Sequence, residues 1–185
     1  MPASRLDPVT ALVVIDLQKG LLGYPTIHPI QGVLVQASAL AQAFRRRGLP
    51  VVLVNVTGGS PGRTEQQRPG GPVSADFAAF VPELDQQPAD HVETKRTWGT
   101  GTGLEAFLGS RSATQIVLCG VATSIGVEST ARHAYELGFN ITLALDAMTD
   151  VNKDAHANSV AHIFPRLGET AMTTDIIALF DKPGA

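Results

Sequence analysis

The sequence predicts a three-layer α/β fold with a Rossmann-like, mostly parallel sheet of six strands and helices on both faces. Short, continuous apolar runs recur along the 185 residues, and amphipathic helical patterns separate them. Apolar runs without polar alternation are typical of parallel strands that are covered on both faces. Their alternation with helices is typical of a layered α/β domain. Since no repeat or linker divides the sequence, residues 1–185 are predicted to form one domain.

Six runs are predicted to form the strands. The first run is continuous and rich in β-branched residues, whereas the third run is shorter and less apolar. The predicted strands are Ala11–Asp16, Pro50–Val56, His91–Lys95, Gln115–Val121, Asn140–Asp146 and Thr170–Thr174.

Three segments between these runs are predicted to be helices. Each carries apolar residues at three- and four-residue spacing, which places them on one stripe of a helix. Gly48 and Gly138 mark the ends of the first two segments, because glycine favours the end of a helix. The predicted helices are Val33–Phe44, Ser124–Leu137 and Asn152–Phe164.

The composition excludes several classes of partner. The net charge is -3, and the one basic cluster, Arg45–Arg47, closes a predicted helix, so nucleic acid is not an expected partner. No apolar run is long enough to cross a bilayer, and the first ten residues lack an apolar signal core. The single cysteine excludes an internal disulfide and is compatible with a reducing compartment, so we expect a cytoplasmic protein.

The segment Thr57–Val73 is predicted to be a long loop rich in glycine, proline and polar residues. Long loops in compact domains are commonly functional or mobile, and we expect this one to cover a pocket. Arg63 or Arg68 could bind a substrate carboxylate from this loop. The alternative for both arginines is a solvated surface position.

Three polar features lie at the predicted carboxyl ends of strands, where parallel α/β sheets bind ligands. Asp16 ends the first strand, Lys95 ends the third, and the turn Gly120–Gly126 follows the fourth. A lysine beside an aspartate, partly buried, suits general acid or base chemistry. The helix that begins near Ser124 is expected to present free N–H groups to an oxyanion or a carboxylate. A helix cap for the aspartate and a solvated lysine are the alternatives.

Three blocks of the sequence together resemble the isochorismatase-like hydrolase superfamily, which includes isochorismatases, nicotinamidases and N-carbamoyl amide hydrolases. The blocks are "ALVVIDLQKGLL", "ETKRTWGTGTGLEAFL" and "VLCGVATSIGVESTARHAYELGFNITLALDAMTD". The resemblance implies a catalytic triad whose aspartate and lysine are Asp16 and Lys95 and whose cysteine position is Gly126. It also implies a sheet with the first and fourth strands at its centre, a cis peptide bond between Val121 and Ala122, and a homo-oligomer such as a dimer or a tetramer.

The missing cysteine changes the chemistry that the resemblance implies. Gly126 carries no nucleophile, and Cys119 lies inside a predicted strand, where a buried structural thiol is expected. Isochorismatases also lack this cysteine and hydrolyse a vinyl ether with the aspartate as general acid, whereas the turn "VATSIG" resembles the amidase branch. The sequence thus predicts a hydrolase of a small molecule that uses Asp16 and water. An enzyme of the same fold with another reaction and a non-enzymatic binding protein are the alternatives.

Other candidate residues concern binding rather than proton transfer. Val121 and Ala122 are expected to line the substrate pocket, and Trp98, close to Lys95, is expected either there or in core or interface packing. Nicotinamidases bind zinc through an Asp-x-His motif after the second strand, where this chain reads "VNVTGGSPG". The histidines are scattered without metal-ligand spacing, so no catalytic metal and no cofactor are predicted.

Overall fold

A computed structural model of the protein describes residues 3–66 and 74–181 and contains one sheet of six parallel strands. The strands are β1 (Thr10–Ile15), β2 (Val51–Val56), β3 (His91–Lys95), β4 (Gln115–Val121), β5 (Asn140–Thr149) and β6 (Glu169–Ala171). Their spatial order is β3-β2-β1-β4-β5-β6, and every neighbouring pair is parallel. The predicted fold class and the central position of β1 and β4 are therefore confirmed.

Helices cover both faces of the sheet. They are α1 (Ile30–Arg46), α2 (Gly101–Ser110), α3 (Glu128–Glu136), α4 (Lys153–Asn158), α5 (Phe164–Leu167) and α6 (Thr173–Leu179). The chain also forms 3-10 turns at Lys19–Leu21 and Pro82–Leu84 and π-helical turns at Thr123–Val127 and Ser159–Ile163. Helices α1 and α6 contribute to one apolar core, and α2, α3 and α5 contribute to the other. Strand β1 serves both cores, because Leu12 and Val14 face the first and Val13 and Ile15 the second. No helix within residues 3–66 and 74–181 combines the length and apolarity needed to cross a membrane.

Helix α1 shows why the apolar spacing in the sequence was informative. The stripe predicted from the sequence is fully packed against the sheet, and its members are Val33, Ala37, Leu40, Ala41 and Phe44, each at most 2% exposed. The helix extends a few residues beyond the predicted segment at both ends and stops before Gly48, which adopts a φ of 66°. A left-handed glycine of this kind terminates helices because it has no Cβ to strain the backbone.

The predicted last strand, Thr170–Thr174, is present, but its bounds are wrong. The strand ends at Ala171, and α6 begins at Thr173. Asp146 explains the change, since its Oδ1 accepts hydrogen bonds from the N–H and the hydroxyl of Thr173, each at 2.8 Å. A carboxylate that satisfies the first free N–H groups stabilises a helix start at that point.

Two predicted helices are interrupted by π-helical turns. The predicted helix Ser124–Leu137 starts as the π-turn Thr123–Val127 before α3 continues it, and Asn152–Phe164 divides into α4, a second π-turn and α5. A π-turn widens the helix by one residue, and such turns are common at functional sites. Strand β5 also runs on past its predicted end to Thr149.

Gly120 brings β4 unusually close to β1 immediately before the candidate site. A Cβ at this position would collide with the carbonyl oxygen of Ile15, and the φ of 113° disfavours any other residue. The close approach places the turn after β4 beside the residue that follows β1.

Candidate active site

The carboxyl ends of β1, β3 and β4 meet around a cavity of about 290 Å³. The cavity brings together the sequence-predicted residues Asp16, Lys95, Trp98 and Gly126, together with Val121 and Ala122 from the end of β4 and the following turn. The remaining lining residues come mostly from the loop before α1 and the ends of β2 and β5: Leu21, Tyr24, Thr26, Ile30, Val56, Gly58, Thr97, Ile125, Thr149, Asp150 and Val151. The placement agrees with the rule that parallel sheets bind ligands beyond their carboxyl ends.

Asp16 and Lys95 form a buried ion pair at the floor of this cavity. The Nζ of Lys95 donates to Oδ2 of Asp16 at 2.7 Å and to the carbonyl oxygen of Trp98 at 2.8 Å. Asp16 is 6% exposed and Lys95 is 5% exposed. Oδ1 of Asp16 is buried without a hydrogen-bond partner among the described residues, so this oxygen is available to a water or a substrate.

Burial sets the proton affinity of Asp16. Loss of solvent raises the pKa of its carboxyl group to about 6, and the charge and hydrogen bond of Lys95 offset only part of that rise. A carboxyl group with a pKa near neutrality can both accept and release a proton at the pH of most cells. The pair therefore has the electrostatics of a general acid or base.

Gly126 lies directly beside the Asp16 carboxylate. A Cβ built on this glycine would lie 3.2 Å from Oδ2 of Asp16, 3.3 Å from the carbonyl oxygen of Val121 and 2.8 Å from Cγ2 of Ile15. Asp16, Lys95 and Gly126 are distant in sequence, and the structure brings them together. A side chain at residue 126 would crowd both Ile15 and the Asp16 carboxylate, and glycine avoids these contacts.

The turn that carries Gly126 is held by Asp150. Oδ2 of Asp150 accepts hydrogen bonds from the N–H of Ser124 at 2.7 Å and from its hydroxyl at 2.8 Å, and Oδ1 accepts from the N–H of Asn152 at 3.0 Å. The expectation that the N–H groups at this helix start are free is therefore wrong for Ser124. An internal carboxylate takes the place that the sequence suggested for an oxyanion, because the positive end of the helix favours any nearby anion. The peptide bond between Val121 and Ala122 is cis.

The described part of the long loop, residues 57–66, contributes one lining residue to the cavity. Of its described part, Gly58 lines the cavity, and Arg63 is exposed and does not line it. Arg68 lies outside the described residues. The guanidinium carbon of Arg96 lies 3.3 Å from the position of a Cβ on Gly58, which places a cation at the rim.

Two histidines that the sequence analysis left unassigned lie behind the cavity wall. Nδ1 of His156 lies 2.9 Å from Oγ1 of Thr123, and Nδ1 of His28 lies 3.2 Å from Oγ1 of Thr149. The two rings meet edge to face, with centroids 5.1 Å apart. Desolvation lowers the pKa of His156. Together these contacts tie α4 and the loop before α1 to the cavity wall.

Sequence reasoning missed the lining residues Asp150, Tyr24 and Val151. Asp150 offers the one usable signal, a carboxylate just after an apolar run that ends at the carboxyl edge of the sheet. Cys119 is fully buried, as expected of a structural thiol, and burial raises its pKa. Within the part of the chain that the structure describes, no cluster of three or more histidine, cysteine or acidic side chains could hold a metal ion.

Comparison with known proteins places this chain in a family. The isochorismatase domain family matches residues 10–175. The isochorismatase family protein YecD of Escherichia coli O157:H7 is 43% identical over 182 residues, which cover 91% of this chain and 94% of that protein. The streptothricin hydrolase of Streptomyces noursei is 32% identical over 142 residues, which cover 75% of this chain and 49% of the hydrolase.

The fold comparison gives the same result. The structure of an isochorismatase family protein from Burkholderia thailandensis has a TM-score of 0.92 and 38% identity, with 96% of this chain and 98% of that chain covered. A match along most of the domain, in both sequence and fold, goes beyond the similarity that a common α/β topology alone would produce. The protein described by this sheet, this cavity and this Asp16–Lys95 pair therefore belongs to the isochorismatase family of hydrolases.

Proposed function

We propose that the protein hydrolyses a small molecule by general acid/base catalysis at Asp16, with water as the nucleophile and without a covalent cysteine intermediate. The observation that carries the proposal is the buried Asp16–Lys95 pair, which faces open space beside Gly126. The raised pKa of Asp16, about 6, supports its role in moving a proton.

Because residue 126 is a glycine, the proposed nucleophile is water. The turn lies in the third sequence block that resembles the superfamily, and this resemblance assigns Gly126 to the position of the nucleophilic cysteine. Glycine has no side chain that can attack a substrate. Cys119 is fully buried in β4 and cannot replace it. A side chain at residue 126 would crowd the site, because its Cβ would lie 3.2 Å from Oδ2 of Asp16 and 2.8 Å from Cγ2 of Ile15.

The proposed reaction moves one proton through the carboxyl group of Asp16. Asp16 in its ionised form takes a proton from water as the water oxygen bonds to the scissile carbon. The bond to the leaving group then breaks, and the same proton passes from Asp16 to the leaving atom, so Asp16 ends as it began. Lys95 holds the carboxylate in place and stabilises negative charge that develops on the substrate. Trp98, Val121 and Ala122 would contact the substrate, whereas Arg63 is left out because it does not line the cavity.

A second candidate function is small-molecule binding without catalysis. The contact between Asp150 and the N–H of Ser124 favours it, because that donor is no longer free to stabilise an oxyanion. The two candidates differ in whether Asp16 affects a rate or only an affinity.

A substrate panel separates the two candidates. Amides, N-carbamoyl compounds and vinyl ethers would be incubated with the wild type, with Asp16→Asn and with Asp181→Asn, a control that changes an exposed aspartate. The proposal predicts turnover of at least one class by the wild type and the control, and a loss of about 10²- to 10⁴-fold in kcat/KM for Asp16→Asn. Equal turnover by Asp16→Asn, or binding without turnover by the wild type, would contradict it.

We also propose that the protein is a cytoplasmic homo-oligomer, a dimer or a tetramer. Exposed apolar side chains away from the cavity support association: Val35 is 64% exposed and Val92 is 40% exposed. A single cysteine is typical of a reducing compartment. Light scattering should give a multiple of the 19.5 kDa chain mass, and a monomer mass at micromolar concentration would refute the oligomer.

A further inference from the structure

We propose that the cavity selects an uncharged substrate that carries an aromatic or other apolar group, and that it rejects substrates with a carboxylate at that group. This inference rests on the proposed function, since it names the substrate class of the same site. Three features support it. Lys95, the one cation among the described lining residues, is already paired; Asp150 adds a second carboxylate to the wall; and apolar side chains surround the mouth of the cavity.

The cation in the wall is already neutralised. Among the described residues that line the cavity, Lys95 is the one cationic side chain. Two of the three N–H donors that an ammonium group offers are used, one by Asp16 and one by the carbonyl oxygen of Trp98. A substrate carboxylate would have to compete with Asp16 for this charge in a buried site, where unpaired charges are costly.

The wall also holds a second carboxylate where an anion would otherwise bind. Asp150 lines the cavity, is 1% exposed, and occupies the N–H and hydroxyl of Ser124 at the helix start. A substrate carboxylate would therefore meet Asp150 and Asp16, and it would find the N–H of Ser124 already occupied. Juxtaposed like charges are an established means by which proteins reject the wrong ligand.

The rest of the cavity wall suits an apolar group. Seven aliphatic side chains line it: Leu21, Ile30, Val56, Val121, Ala122, Ile125 and Val151. At the mouth, Trp98 is 63% exposed, Val151 is 50% exposed and Tyr24 is 47% exposed, although all three line the same cavity. Large apolar side chains left in solvent around a cavity mouth bury their surface when a ligand with a flat ring packs against them.

Trp98 connects this apolar mouth to the catalytic pair. Its carbonyl oxygen binds Nζ of Lys95, and its indole ring stands at the mouth. The backbone of Trp98 is thus tied to Lys95, and a ring that packs against the indole would lie at the mouth of the cavity that Asp16 lines.

Matched pairs of neutral and anionic probes test the inference without requiring turnover. Benzamide and benzoate, and the equivalent amide and acid of naphthalene, share a ring and differ in charge. Isothermal titration with the wild type should show that each amide binds at least about tenfold more tightly than its acid, because the acid meets two carboxylates. Trp98→Ala should weaken amide binding about three- to tenfold, as expected for the loss of a stacking partner. Tyr135→Ala, which removes an exposed aromatic ring outside the cavity lining, is the matched control and should bind like the wild type.

Several results would overturn the inference. These are acids that bind as tightly as the amides, a panel in which neither member of any pair binds at millimolar concentration, and amide binding that Trp98→Ala leaves unchanged. Acid binding that disappears in Arg96→Gln would show that the guanidinium at the rim makes the cavity an anion site after all. Failure of the proposed function gives a different pattern, since turnover that Asp16→Asn leaves intact refutes the catalytic role whatever the charge preference of the cavity.

Discussion

Gly126→Ala is the smallest change that probes the space beside Asp16. The added methyl group would lie 2.8 Å from Cγ2 of Ile15 and 3.2 Å from Oδ2 of Asp16. The first distance is shorter than packed carbon atoms tolerate, so β1 or the turn must shift. Overpacking of this kind costs about 1–3 kcal/mol in the free energy of unfolding. For a domain of this size the midpoint temperature should fall by about 2–12 °C.

Urea denaturation and thermal unfolding of Gly126→Ala measure this cost. Gly32→Ala is the matched control, because Gly32 is an exposed residue of α1 where an added Cβ would meet nothing within 4 Å, and alanine there should stabilise the helix by about 0.5–1 kcal/mol. The same methyl group in Gly126→Ala fills space beside the reactive carboxylate, so turnover should fall even where the protein remains folded. A Gly126→Ala variant as stable and as active as the wild type would refute the close approach of Gly126 to Ile15 and Asp16.

Three further predictions concern a carboxylate, a thiol and a hydroxyl. The pKa of Asp16 is raised from 3.8 to about 6 in the folded protein, so its contribution to stability is full below pH 3.8 and is lost as the pH rises through 6. Relative to Asp16→Asn, the free energy of unfolding of the wild type should therefore fall by about 3 kcal/mol between pH 3 and pH 7. Parallel pH profiles of the two proteins would contradict this. Cys119 should resist thiol reagents in the native protein and react on unfolding, because it is fully buried and burial raises its pKa; rapid labelling of the folded chain would be inconsistent with the structure. Thr123→Val should destabilise the protein by about 1–3 kcal/mol, because it leaves Nδ1 of His156 without its partner. Thr123→Ser keeps the hydroxyl and should retain most of the stability. An equal loss in both variants would argue against the hydrogen bond.

The sheet was predictable because its strands are buried on both faces. β3 and β4 have the predicted bounds, and β1 and β2 differ by a residue at each affected end. Continuous apolar runs leave little choice of structure when helical patterns separate them. The meeting of Asp16 and Lys95 followed from the same rule, since parallel strands place their carboxyl ends at one edge.

The details of the cavity wall were not predictable from periodicity. A π-turn adds one residue to a helix, so the spacing of apolar residues in Thr123–Val127 still resembles an α-helix. Asp150 reaches Ser124 because β5 extends to Thr149. The sequence predicts an earlier end of this strand, because the polar residue Asp146 interrupts the apolar run. The early end of the last strand was not predictable either, because the contact of Asp146 with Thr173 joins residues 27 positions apart.

The central claim is that Asp16 carries the proton in catalysis, and the pH dependence of kcat/KM tests it most directly. With any substrate that the panel identifies, the wild-type profile should have a limb near pH 6, the pKa of the buried carboxyl group. Activity that rises with pH through this limb identifies Asp16 as the general base in the rate-limiting step, and activity that falls identifies it as the general acid. The limb should be absent from the residual activity of Asp16→Asn. A wild-type profile that is flat between pH 5 and pH 7, or a limb that persists in Asp16→Asn, would contradict the account.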